Sequence, residues 1–220
     1  MNQATTVYRL LLEHFGPQHW WPAETPFEVI VGAILMPQTS WRNVEIAIRN
    51  LVDARMLAPA KIASAPLAEL ASLIKPAGLY RTKPRKLREF CRHIMSASGG
   101  DVSAFLSRER RSLRQELLSL DGIGPETADS ILLYAANKKT FVVDAYTRRI
   151  GKRVGLFDFD DYGKVQEYFE DNLTGGVKLY QEYHALIVGL AKRICRQKPL
   201  CDLCPLDKVC NHAKRYWGKR

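Results

Sequence analysis

Residues 117–129 read Leu117-Leu118-Ser119-Leu120-Asp121-Gly122-Ile123-Gly124-Pro125-Glu126-Thr127-Ala128-Asp129. Helix-forming residues flank a short break at Gly122, Ile123 and Gly124, so the stretch reads as helix, tight hairpin, helix. The two glycines remove side chains where the backbone comes close to something, and they permit positive φ. Ile123 between them plugs the hairpin into the core, and Pro125 suits the first turn of the second helix. Hairpin amides followed by a helix N-terminus suit an anion such as a phosphate. An ordinary αα-hairpin uses the same short signal.

Nearly every periodic segment has the helical repeat. Val7, Leu10, Leu11 and Phe15 share one face, as do Trp41, Val44, Ile48 and Leu51, and again Ala128, Ile131, Leu132 and Ala135. Short Gly and Pro clusters break the helices at Gly16-Pro17, Pro22 to Pro26, Pro76 to Gly78, Gly99-Gly100, Gly122 to Pro125 and Gly175-Gly176. The strand-like Thr140 to Val143 is too short and solitary to build a sheet. The expectation is an all-α chain of about ten helices joined by short loops.

The chain has 220 residues, 46% hydrophobic and 25% charged, which describes a globular protein that buries its own core. Its longest apolar run, Val29 to Met36, is far short of a membrane span. The N-terminal residues lack a basic segment followed by a cleavage site, so a reducing, cytoplasmic setting is expected. The net charge is +10 and unevenly spread. From Lys192 onward there are nine Lys and Arg against two Asp, and a second cluster runs through Arg81, Lys83, Arg85, Lys86, Arg88 and Arg92. A chain this basic suits a polyanion, nucleic acid first among them.

Four of the five cysteines fall within sixteen residues, as Cys195-x5-Cys201-x2-Cys204-x5-Cys210. Four thiols at that density in a reducing compartment point to a metal. Zinc takes four thiolates, usually on two CxxC knuckles, and only one is present. A [4Fe–4S] cluster takes four thiolates at wider, uneven spacing. Upstream, Tyr180, His184, Ile187, Val188 and Ala191 share a helical face with Cys195. On that face His184 reads as a core or interface histidine rather than as a catalytic group or one that supports catalysis from behind. Sixteen residues past Ala128, Asp144 follows Phe141-Val142-Val143 at a loop-to-helix junction, where a carboxylate is most simply an N-cap.

Taken together, the hairpin, Val142-Val143-Asp144-Ala145-Tyr146-Thr147-Arg148-Arg149 and the four cysteines resemble the endonuclease III, or helix-hairpin-helix-GPD, superfamily of DNA glycosylases. Phe27 to Leu51, with Ala33-Ile34-Leu35-Met36-Pro37-Gln38-Thr39, is similar to the family's first barrel helix and DNA-probing loop. Gly78-Leu79-Tyr80-Arg81-Thr82-Lys83 is similar to the turn into a DNA-binding helix. The resemblance implies two helical domains: a six-helix barrel over residues 20–134, and an iron–sulfur domain built from 1–19 and 135–220. It makes Asp144 the catalytic aspartate and Cys195, Cys201, Cys204 and Cys210 the ligands of a [4Fe–4S] cluster. Gln38 would fill the stack, with Gly122, Ile123, Gly124, Arg81 and Lys83 at the phosphates. The partner would be double-stranded DNA carrying a damaged or mismatched base, bound by a monomer and associated with the nucleoid in a prokaryote.

Two departures shape the expected activity. The first cysteine spacing is one residue shorter than the family's usual x6. More consequentially, Glu126 stands eighteen residues before Asp144, where members that cut the abasic site carry lysine. A glutamate forms no Schiff base, so a glycosylase without lyase activity is expected. Trp20-Trp21-Pro22 and Trp41 are similar to the 3-methyladenine DNA glycosylase III branch, where aromatic rings stack on the extruded base. That resemblance implies a cationic alkylated purine, although tryptophans also simply fill cores. The alternatives are a mismatch glycosylase for uracil, thymine or adenine, a bifunctional glycosylase-lyase, and a non-catalytic DNA-binding iron–sulfur protein.

Overall fold

Helix starts are fixed by side chains. Asn2, Thr25, Ser40, Asp101, Asp144 and Asp161 each accept the amide three residues on, which satisfies one of the donors that a helix N-terminus leaves open. The structure is a computed structural model that describes residues 2–217. Its helices are α1 (Gln3–Phe15), α2 (Pro26–Leu35), α3 (Trp41–Asp53), α4 (Pro59–Ser64), α5 (Leu67–Leu73), α6 (Lys83–Ser98) and α7 (Val102–Ser107). They continue as α8 (Arg110–Ser119), α9 (Pro125–Ser130), a π turn (Ile131–Ala135), α10 (Ala145–Val154), α11 (Tyr162–Asn172), α12 (Val177–Arg193) and α13 (Asn211–Trp217). There are more helices than the expected ten because α4, α5, α7, α9 and α13 span only six or seven residues. Segments that short carry no amphipathic repeat to read. Among the described residues there is no strand, and no helix is long and apolar enough to cross a membrane.

The chain forms two compact units, Trp21–Lys138 and residues 1–20 with 139–220. In the first, α2 is apolar on every side and buried from Val29 to Leu35, so it is the central helix. Around it lie the π turn and the buried faces of α3 (Val44, Ala47, Ile48, Leu51) and α6 (Leu87, Phe90, Ile94), while α8 (Leu113, Leu117) packs on α9 and the π turn. Each buried Val, Leu, Ile or Phe among them contributes roughly 1.5–3 kcal/mol.

The second unit is built on aromatic rings. Phe141 stacks on Phe169 at 4.1 Å and meets Tyr180 and Tyr183 edge-on. Tyr183 donates its hydroxyl to Ala4 O, which ties α1 to α12. The extended segment before Asp144 has buried side chains at Phe141, Val142 and Val143 but no partner strand. Side chains of α11 take over the role of a sheet ladder: Glu170 accepts from Phe141 N and Gln166 donates to Phe141 O. That bracket delivers Asp144 to the start of α10.

Candidate active site

Asp144 is the N-cap of α10. Its Oδ1 accepts from Thr147 N at 2.6 Å and from Thr147 Oγ1 at 2.8 Å. Its Oδ2 faces Nε2 of His184, 3.7 Å away on α12. The Asp144 side chain is 13% exposed. Burial pushes the carboxyl up, but the His184 ring and the two Thr147 hydrogen bonds outweigh it and hold Asp144 below the usual carboxylate value. The local N-cap reading is therefore correct and incomplete, since one oxygen caps the helix while the other faces His184. His184 itself is buried, as a core histidine would be, but it adjoins the carboxylate.

The hairpin forms as read, with Ile123 buried and Pro125 opening α9. The glycines differ in role. Gly122 sits at φ +77°, and a Cβ there would strike the side chain of Lys86. Gly124 is extended, with open space where a Cβ would stand. Arg114 on α8 holds the buried Asp129 of α9 in a fork, Nε to Oδ1 at 2.8 Å and Nη2 to Oδ2 at 2.9 Å, and so braces the hairpin. Glu126 is exposed in the first turn of α9.

Two turns of the same unit end in strained residues. Gln38, exposed after α2, has φ +59°, and Leu79, 46% exposed before α6, has φ +46°. Arg81 is exposed, its guanidinium 5.9 Å from the Tyr80 ring. Lys83 corrects the sequence expectation. It is 2% exposed, and its ammonium donates to Leu35 O and Ala77 O at 2.7 Å each, so it is not placed to touch a phosphate. Its position in the helix explains this: Lys83, Leu87, Phe90 and Ile94 share the buried face of α6.

Trp21 and Trp41 meet edge-to-face at 5.2 Å, and Tyr134 joins Trp21 at 5.3 Å. Gly32 lets Trp21 lie against α2, since an added Cβ would stand 3.1 Å from the indole. Tyr134 was not expected from the sequence. It lies in the π turn, whose extra residue changes which side chains face inward. Trp20 is half-buried and belongs to the other unit.

Residues 31–174 match the HhH-GPD superfamily of base excision DNA repair proteins. The chain belongs to that superfamily. A Methanocaldococcus jannaschii protein assigned by name to the DNA repair glycosylases is 46% identical over 206 residues, covering 93% of this chain and 94% of its own. The crystal structure of H. pylori 3-methyladenine DNA glycosylase bound to 1,N6-ethenoadenine superposes with TM-score 0.76 at 28% identity. It covers 86% of this chain and 97% of that one. An endonuclease III–DNA complex shares the fold, with TM-score 0.83 at 24% identity over 99% and 100% of the two chains.

In this HhH-GPD chain the four clustered cysteines lie on one loop that leaves α12. Arg153 donates to Cys195 Sγ at 3.3 Å and to Arg196 O and Gln197 O, while Arg149 donates to Cys195 O. Burial pushes the Cys204 thiol up to about 12, with smaller contributions from Cys195, Cys210 and Cys201. Burial also raises Cys201, followed by Cys210 and Cys195. The four thiols are thus in electrostatic reach of one another, which fits a four-thiolate donor set. Among the described residues no three side chains already stand as a metal site. Cys91, buried alone in α6, takes no part.

Proposed function

We propose that this chain is a monofunctional DNA N-glycosylase that releases an alkylated, cationic purine from duplex DNA and leaves the abasic site uncut. The observation that carries this reading is the Asp144 carboxylate, held ionised by Thr147 and His184 with Oδ2 turned away from its capping bonds. Such a carboxylate stabilises an oxocarbenium-like sugar and orients the attacking water, as carboxylates do in glycoside hydrolysis. An N-alkylated purine departs as a neutral base, so no strong general acid is required. His184 keeps the carboxylate charged and pointed.

Several features support the rest of the reading. The Trp21–Trp41 pair, with Tyr134, offers electron-rich faces that attract a cationic base. The 28% identical relative from H. pylori is a 3-methyladenine DNA glycosylase. Trp20 is a base-stacking candidate through the resemblance to that branch alone. Gln38, exposed at a strained turn, would occupy the place in the stack that the extruded nucleotide leaves. Hairpin residues Gly122, Ile123 and Gly124, with Arg81 and Lys86, would meet phosphates. Glu126 supplies no amine, so no imine forms. Cys195, Cys201, Cys204 and Cys210 would hold a [4Fe–4S] cluster, which when bound supplies thiolate cross-links across the loop and a one-electron couple.

The test is a panel of duplexes, each with one lesion, incubated with wild-type and Asp144→Asn protein. Release of alkylated purines by wild type alone supports the proposal. Exclusive release of uracil, thymine or adenine from mismatches would replace it with the mismatch activity. No release from any duplex would leave DNA binding as the function.

A further inference from the structure

Lys83 is the only lysine among the described buried residues. A charged amine is retained in an interior only when its donors are matched, and here the matches are two backbone carbonyls from separate segments. Leu35 O is the last carbonyl of α2, three residues before Gln38. Ala77 O lies two residues before Leu79. Both turns that follow end in a non-glycine residue at positive φ, a conformation that persists only where the surroundings enforce it. Both also expose residues with no packing role, Gln38 in one and Leu79 and Tyr80 in the other.

We infer that Lys83 is a positioning residue: by taking the Leu35 and Ala77 carbonyls on one ammonium, it fixes the spacing of the turns that carry Gln38 and Leu79. The inference rests, for the Gln38 half, on the stack-filling role proposed above. Burial, and secondarily Lys86, pushes the Lys83 amine down to about 8, which agrees with an interior site that no carboxylate neutralises. Lys83 thus serves the DNA-binding surface without touching DNA. Its work is to keep two strained turns in register when they meet a stacked duplex, and a helix already unstacked makes no such demand.

The experiment compares wild type, Lys83→Met and Lys83→Gln on a duplex with one lesion and on the same strands with that lesion inside a short bubble. Methionine keeps the stem and removes the donors; glutamine keeps two N–H donors without the charge. Base release is measured under single-turnover conditions, and 2-aminopurine beside the lesion reports unstacking on binding without any turnover. Lys83→Met is expected to lose about 10- to 100-fold on the duplex, to lose the fluorescence rise, and to recover most of its rate on the bubble. Lys83→Gln should fall between the two proteins. Equal losses on duplex and bubble, or no loss on either, would overturn the inference. Failure of both variants to fold would overturn it too, because the contact would then hold the whole unit. Gln38→Ala run in parallel separates the two readings. Loss with Gln38→Ala but not with Lys83→Met overturns only the positioning role, and loss with neither overturns the Gln38 reading beneath it.

Discussion

Asp144 Oδ2 stands 3.7 Å from His184 Nε2 while Thr147 holds the other carboxylate oxygen through its amide and its hydroxyl. One side chain therefore starts a helix and presents a charge. The two roles separate on mutation. Asp144→Asn keeps a capping oxygen but loses the charge that His184 faces, so it is expected to lose less thermal stability than Asp144→Ala, while base release falls by at least about a thousandfold. Asp144→Ala loses both, and should cost about 1 kcal/mol of stability as well. Thermal melting and single-turnover release on one lesion duplex check both, with DNA affinity expected to hold or rise in Asp144→Asn.

The depressed Asp144 pKa sets the direction of a pH effect. A carboxyl whose folded pKa lies below its unfolded value of about 3.9 adds stability above that value. That contribution is lost as pH falls through the folded value. Asp144 should therefore stay ionised at pH 5, with its titration confined to the acid side of the ordinary carboxylate range. His184→Gln removes the largest favourable influence on the charge, so the titration should move up. Carboxyl-carbon NMR of labelled aspartate measures it. An unmoved titration in His184→Gln would mean that Thr147 alone holds the charge.

Much of this site was legible in the sequence, and each exception has a physical cause. The hairpin, the Asp144 junction and the four cysteines are local patterns, so residue type and spacing expose them. His184 falls on a buried helical face, but nothing local says that the residue across from it is Asp144. Tyr134 escaped because the π turn shifts the register of a run that otherwise reads as regular helix. Lys83 was misread for a different reason. Counting charges put it in a basic surface patch, whereas its phase with Leu87, Phe90 and Ile94 already marked the core side of α6.

Salt dependence tests which basic residues meet phosphate. Log affinity for duplex DNA should fall linearly with log salt, with a slope matching roughly 4–8 contacts at about 0.9 each. Arg81→Ala should lower that slope by about one contact. Lys83→Met should leave the slope unchanged, because its ammonium is already held by two carbonyls. A flat response in wild type would mean that the basic clusters do not meet the backbone. The outermost positive charges, Lys219 and Arg220, lie outside the described residues.

The cysteine loop gives a prediction independent of any activity. Purified protein should be brown and carry about four irons per chain. Serine at Cys201 or Cys204 should remove the colour and lower thermal stability. One zinc and no iron would replace the cluster with a zinc site and leave the glycosylase reading untouched.

The strand itself should stay intact. A lyase needs an amine that attacks the sugar C1′, expels the base and remains bound as an imine. Glu126, exposed in the first turn of α9, would occupy the position that the family resemblance gives to the lyase lysine, and a carboxylate cannot form that bond. Borohydride should therefore trap almost no protein on lesion DNA, while hot alkali after incubation should cut the strand at the emptied site. Glu126→Lys should gain only weak trapping. A lysine placed there on an exposed first turn, with no burial or neighbouring cation to lower its pKa, stays protonated and is a poor nucleophile. Strong trapping by wild type would show that another amine reaches the sugar. Lys86, whose side chain lies against Gly122 of the hairpin, would be the first to replace. Loss of both trapping and strand cleavage in Lys86→Met would reassign the chain to the bifunctional enzymes through a lysine outside the usual position.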